Sequence, residues 1–101
     1  MDEVLNSNKA DIKRFHALVT GKVQGVFFRD YTQKKAEENN LSGWVRNTED
    51  GRVEVVAEGE EGSLKNLLKF LNQGSPTSRV DVVDIKWGDP QGETGVFHIK
   101  Q

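Results

Sequence analysis

The sequence predicts an α+β sandwich of two layers, with two helices on one face of a mostly antiparallel sheet. Three observations predict it. Two helix-tolerant stretches are set among β-like runs in the order βαββαβ, with a short extra strand at the end. The clearest β-like runs alternate apolar and polar residues, as strands with one wet face do. The chain has 101 residues, of which 35% are apolar, enough for one domain with one core.

The elements follow in order. Residues 1–12 are polar apart from a few apolar side chains and are expected to form a flexible tail, with the folded domain spanning 13–101. From Arg14 to Thr20, Phe15, Ala17 and Val19 share one parity, which predicts the first strand. Gly21–Phe28 carries two glycines and reads as a loop. Arg29 to Glu38 predicts the first helix, with Phe28, Thr32 and Ala36 at i, i+4 spacing and Asn39-Asn40 as its stop. Gly43–Asn47 predicts the second strand and Arg52–Glu58 the third, joined by a turn built on Asp50-Gly51. In the third strand Val53, Val55 and Ala57 are expected inside, with Glu54 and Glu58 in water. Leu64, Leu67, Leu68 and Leu71 form the apolar stripe of the second helix, which has Glu60 and Glu61 near its start and Gly74 as its C-terminal cap. Val80–Trp87 predicts a fourth strand whose phase changes between Val82 and Val83, the mark of a bulge or a twist. Val96–Ile99 is the short last strand.

Composition removes several function classes. Fourteen Lys plus Arg against 16 Asp plus Glu give a net charge of −2, without the basic stripe of a nucleic-acid binder. The absence of cysteine excludes disulfides, thiolate metal centres and a cysteine nucleophile. No run approaches the ~20 apolar residues of a spanning helix. The acidic start lacks the apolar core of a signal peptide, so a cytoplasmic enzyme or binding module is expected.

The chemistry-bearing residues gather through connectivity. A helix joins the first two strands, so these run the same way and end at the same edge of the sheet. That edge collects the Gly21–Arg29 loop and Asn47, although 18 positions separate Arg29 from Asn47. A glycine-rich loop entering a helix aims unpaired backbone N–H groups at one spot, a cradle for an anion. Arg29 adds a planar cation suited to two phosphate oxygens. The loop matches neither G-x-x-x-x-G-K-[ST] nor G-x-G-x-x-G, so no nucleotide cofactor is indicated. The same residues also suit a tight strand–helix connection with a solvated arginine. Asn47 carries an amide that donates to one oxygen and accepts from a water, and it equally favours the turn that follows.

Gly21-Lys22-Val23-Gln24-Gly25-Val26-Phe27-Phe28-Arg29, Gly43-Trp44-Val45-Arg46-Asn47 and Asp50-Gly51-Arg52-Val53-Glu54 together resemble the acylphosphatase family. The likeness continues through Ala57-Glu58-Gly59, Gly74-Ser75-Pro76, Val80 and Phe97-His98-Ile99, and covers about Lys13 to Lys100. Phe27, where many members carry Gly, is a familiar variant that resembles the animal enzymes; the end departs from the pattern, with Lys100-Gln101 where members often have an aromatic. The resemblance implies a ferredoxin-like sandwich that hydrolyses the carboxyl–phosphate bond of small acyl phosphates. By the same resemblance, Arg29 clamps phosphate, Asn47 positions water, and the backbone of Gln24, Gly25, Val26, Phe27 and Phe28 forms the cradle. No metal, cofactor or phosphoenzyme is implied. The expected partners are small acyl phosphates, with inorganic phosphate or sulfate as competing anions. A monomer is expected, with no nucleic acid and no membrane.

Other polar and aromatic residues are expected to be structural. His16 and His98 lie within strands, Trp44 and Trp87 read as core or rim, Asp50 as turn chemistry, and Lys22 as a solvated lysine able to steer anions. Two competing functions remain open on the same fold: a non-catalytic phosphate- or protein-binding module, and a single-stranded RNA binder. The third strand lacks the exposed aromatic run the latter uses for stacking bases.

Overall fold

The structure, a computed structural model, describes residues 11–101. The expected tail therefore lies outside the described residues except at Asp11 and Ile12. The elements are β1 (Ile12–Lys22), α1 (Phe28–Glu38), β2 (Ser42–Asn47), β3 (Val53–Glu60), α2 (Glu61–Gln73), β4 (Arg79–Gly88) and β5 (Phe97–Ile99). They build one mixed sheet in the order β4-β1-β3-β2-β5, with α1 and α2 against it. All pairings are antiparallel except β2 with β5. The α+β architecture, the βαββαβ order and the short added strand agree with the sequence.

Alternation decides which face each strand buries. Phe15, Ala17 and Val19 on β1 and Val53, Val55 and Ala57 on β3 are fully buried beneath the helices. Leu64, Leu67 and Leu71 of α2 meet them, and each such burial contributes about 1.5–3 kcal/mol. Leu67→Ala would cost about 2–5 kcal/mol. Phe70 joins this buried face, whereas Leu68 is only partly covered. Gly74 ends the helix at φ 86°, as its position predicts.

β1 extends to Lys22 because its pairing with β4 continues past a bulge. Thr20 faces Val82 and Gly21 faces Val80, which leaves Asp81 as the extra residue. The phase change thus falls just before the predicted place, and Val80, Val83 and Ile85 pack on the core.

One expectation fails on the opposite face. Alternation places Glu58 in water, yet it is 4% exposed. It accepts from Arg14 Nη1 at 2.7 Å and from the backbone N–H groups of Gln91 at 2.7 Å and Glu93 at 3.0 Å. The β4–β5 connection crosses the sheet at this end and closes over the carboxylate. Burial alone would raise the Glu58 pKa, but the Gln91 amide, Arg14 and the Glu93 amide together outweigh it and hold it below the usual range. Glu54 is partly covered. It accepts from Arg46 Nε at 2.6 Å and shares a hydrogen bond with His16 Nε2 at 2.6 Å.

Candidate active site

Strand register brings the two distant sequence segments to one edge. Val53 of β3 pairs with Val19 on one side and Asn47 on the other, so β1 and β2 end together around the start of β3. The loop that leaves β1 is fastened there by side chains. Val23 and Val26 are buried in the core, while Gly25 is exposed at φ 75°. The Gln24 amide donates to the carbonyls of Thr48 and Arg52, at 2.8 Å each. The buried Ser75 hydroxyl, from the α2–β4 connection, donates to the Val26 carbonyl at 2.9 Å.

The Ser75 contact fixes the direction of a donor. The peptide between Val26 and Phe27 is trans, so its N–H points opposite to its carbonyl. With that carbonyl turned inward to Ser75, the Phe27 N–H faces outward. Phe27 then adopts the left-handed conformation, φ 61° and ψ 22°, directly before helical Phe28. A left-handed residue followed by a right-handed one makes successive N–H groups converge into a concave anion nest. For a bulky side chain that conformation costs about 1–3 kcal/mol.

The first turn of α1 completes the arrangement. No side chain caps its N-terminus, so its leading N–H groups retain their hydrogen-bonding capacity. Arg29 lies in this turn and is half-buried. Among the described residues no carboxylate forms an ion pair with it. Asn47 ends β2, and its Oδ1 is buried without a hydrogen-bond partner; it is the one such side-chain atom among the described residues. Buried acceptors are normally satisfied, so this one stands out as a place for a water or a ligand donor.

The turn beyond Asn47 is rigidly built. Thr48 Oγ1 donates to Asp50 Oδ1, and the Arg52 N–H donates to Thr48 Oγ1 at 2.9 Å. The hydrogen bond from Arg52 to Asp50, at 2.8 Å from Nη2, brings the Asp50 pKa down to about 2. Asp50 is therefore turn chemistry, as its sequence position implies.

Sequence reasoning singles out Gln24 only for its backbone and gives Ser75 no role. Their spacing carries no such signal, because the partners of each lie 24 or more positions away. His98 and Lys22 are exposed. A groove of about 850 Å3 between α1 and α2, lined by residues that include Tyr31, Lys34, Lys69 and Phe70, does not include the loop. A single tetrahedral anion held by backbone amides needs no deep cavity. Among the described residues no group of three or more His, Asp or Glu side chains is placed to hold a metal ion, and no helix is long and apolar enough to cross a membrane.

Comparison with known proteins points one way. The family model described as Acylphosphatase matches residues 15–99. An acylphosphatase of Thermus thermophilus is 50% identical over 86 residues, covering 85% of this chain and 97% of that protein. An acylphosphatase of Chloroflexus aurantiacus is 42% identical over 89 residues, covering 88% and 97%. The crystal structure of acylphosphatase from Bacillus subtilis superposes with a TM-score of 0.85 at 36% identity, covering 88% of this chain and 99% of that one.

Proposed function

The chain belongs to the acylphosphatase family, and on that premise we propose how it holds and cleaves an acyl phosphate. The phosphate sits on the backbone N–H groups of Gln24–Phe28, with the Arg29 guanidinium forking onto two of its oxygens. Asn47 Oδ1 accepts a hydrogen bond from a water and aims its lone pair at phosphorus. The water oxygen bonds to phosphorus as the bond to the acyl oxygen breaks, and that electron pair leaves with the carboxylate. The water's proton passes to a phosphate oxygen, giving inorganic phosphate. A mixed anhydride has a good leaving group, so positioning and charge stabilisation suffice without a nucleophilic side chain or a metal.

The observation that carries this reading is the partnerless buried Oδ1 of Asn47 at the strand end. Binding a phosphate group alone would not call for a water-positioning amide there. The same reading takes residues 13–101 as the catalytic domain, acting as a cytoplasmic monomer, with phosphate and sulfate as competing anions.

The test is benzoyl phosphate hydrolysis in EDTA by the unaltered protein, Arg29→Ala and Asn47→Ala. Each substitution is expected to lower the rate ~10²–10³-fold. Arg29→Ala should also weaken inhibition by phosphate, since a charge-assisted contact of ~1.5–3 kcal/mol is lost. Equal rates in all three proteins would leave only a phosphate-binding module. A folded but inactive His or carboxylate variant would reject the proton route.

A further inference from the structure

We infer that the Phe27 ring is a specificity-determining contact for the acyl group, favouring flat aromatic acyl phosphates over acetyl phosphate; this rests on the loop being the phosphate cradle. Four of the five phenylalanines, Phe15, Phe28, Phe70 and Phe97, are at most 9% exposed, whereas Phe27 is 71% exposed. It is absent from the core cluster, and among the described residues it stacks on no other aromatic ring. Its backbone is nonetheless left-handed, where a bulky side chain is disfavoured. Gly25, two positions earlier, shows that this loop accommodates glycine at positive φ. Folding gains nothing visible from a phenyl ring at this place, so the return must come from something that binds there.

Covalent geometry says what that is. The ring hangs from its own outward-facing amide nitrogen through Cα and Cβ alone. In an acyl phosphate the carboxyl carbon is one oxygen away from phosphorus, so the acyl substituent begins where the cradle ends. A phosphate held on the Phe27 N–H therefore presents its acyl group to the Phe27 ring. An aromatic acyl group can stack on that ring or meet its edge, a contact that a single methyl is too small to exploit. The acyl group keeps this contact from ground state to transition state, so the gain falls on KM more than on kcat.

The experiment measures kcat and KM for benzoyl phosphate and acetyl phosphate in the unaltered protein, Phe27→Leu and Phe27→Gly, with inorganic phosphate as inhibitor. The ratio of kcat/KM, benzoyl over acetyl, is expected to fall about 2- to 10-fold in Phe27→Gly through KM, with Phe27→Leu between. An unchanged ratio would overturn the inference. So would a rise in the phosphate inhibition constant that matches the rise in both KM values, because the ring would then act only by shaping the loop. Failure of the unaltered protein to hydrolyse either substrate would overturn the hydrolase reading itself, an outcome separate from an unchanged ratio.

Discussion

Gln24 and Arg52 lie 28 positions apart, yet the Gln24 side-chain amide donates to the Arg52 carbonyl at 2.8 Å and to the neighbouring Thr48 carbonyl at the same distance. One amide thus ties the Gly21–Phe28 loop to the turn that follows Asn47. The proposed chemistry needs these two segments in fixed relation, because the water must approach phosphorus along a defined line.

Removing that tether should separate activity from folding. Gln24→Ala removes two hydrogen bonds, while the Arg52 and Thr48 carbonyls keep the Thr48 and Gly51 N–H groups as donors, for a loss of about 1–3 kcal/mol. The fold should survive, since the loop stays anchored by Val23, Val26 and Ser75. Turnover of benzoyl phosphate should fall by more than thermal stability alone explains. Gln24→Glu should be worse than Gln24→Ala at pH 7, because an ionised carboxylate would then face two carbonyl oxygens. Thermal denaturation and kcat/KM on the three proteins decide this, and equal kcat/KM in all of them would remove Gln24 from any positioning role.

Asn47 is predicted to set stability against activity. Its buried Oδ1 makes no hydrogen bond to another group of the described residues, so removing it leaves no donor of those residues unpaired. Asn47→Ala deletes that acceptor along with some packing. The variant should therefore unfold at a temperature no lower than the unaltered protein while losing most of its turnover. Such a pairing of gain and loss is characteristic of a residue kept for function at the expense of the fold. A clear drop in melting temperature would instead identify Asn47 as an ordinary structural strand end.

The contrast between Asn47 and Glu58 shows what was legible in the sequence. Strand phase and connectivity sufficed to place Asn47 beside the loop, because β1 and β2 must end together when one helix joins them. The α2 stripe and the bulge in β4 were equally local signals. Glu58 was misread because alternation assigns a residue to a face but does not say what covers that face. Its partners Arg14, Gln91 and Glu93 are 44, 33 and 35 positions away. The orphaned Asn47 oxygen and the inward turn of the Val26 carbonyl are likewise products of tertiary packing, with no local pattern to announce them.

Glu58 gives the fold an acid limit. Its folded pKa lies below the ordinary value. The Glu54 pKa is also lowered: burial opposes this, but the His16 hydrogen bond and Arg46 outweigh it. A depressed carboxylate contributes stability that is in place above its unfolded pKa, about 4.3, and is lost as pH falls through the folded pKa. The melting temperature should hold between about pH 6 and 7 and drop below about pH 4.5. Glu58→Gln should cost about 1–3 kcal/mol at pH 7, and its deficit should shrink as the unaltered protein is acidified. A deficit that stays constant down to about pH 3 would show that the Glu58 charge is not what holds the β4–β5 connection.

Gly21 and Gly25 bracket the entry to the loop and should respond differently to alanine. A Cβ at Gly21 would overlap the Arg79 carbonyl oxygen across the β1–β4 pair, where only backbone can move. Gly25 has open space around it and only its φ of 75° to oppose a side chain. Gly25→Ala should therefore cost about 1–2 kcal/mol of left-handed strain and tilt one peptide of the proposed cradle. Its effect should appear in weaker phosphate inhibition more than in melting temperature. Gly21→Ala has to push β1 away from β4 and should cost more than Gly25→Ala, with the loss appearing in global stability. Denaturant titration of both variants together with phosphate inhibition of hydrolysis tests the pair. The reverse order, with Gly25→Ala the less stable protein, would mean that the loop rather than the β1–β4 seam carries the constraint at this edge.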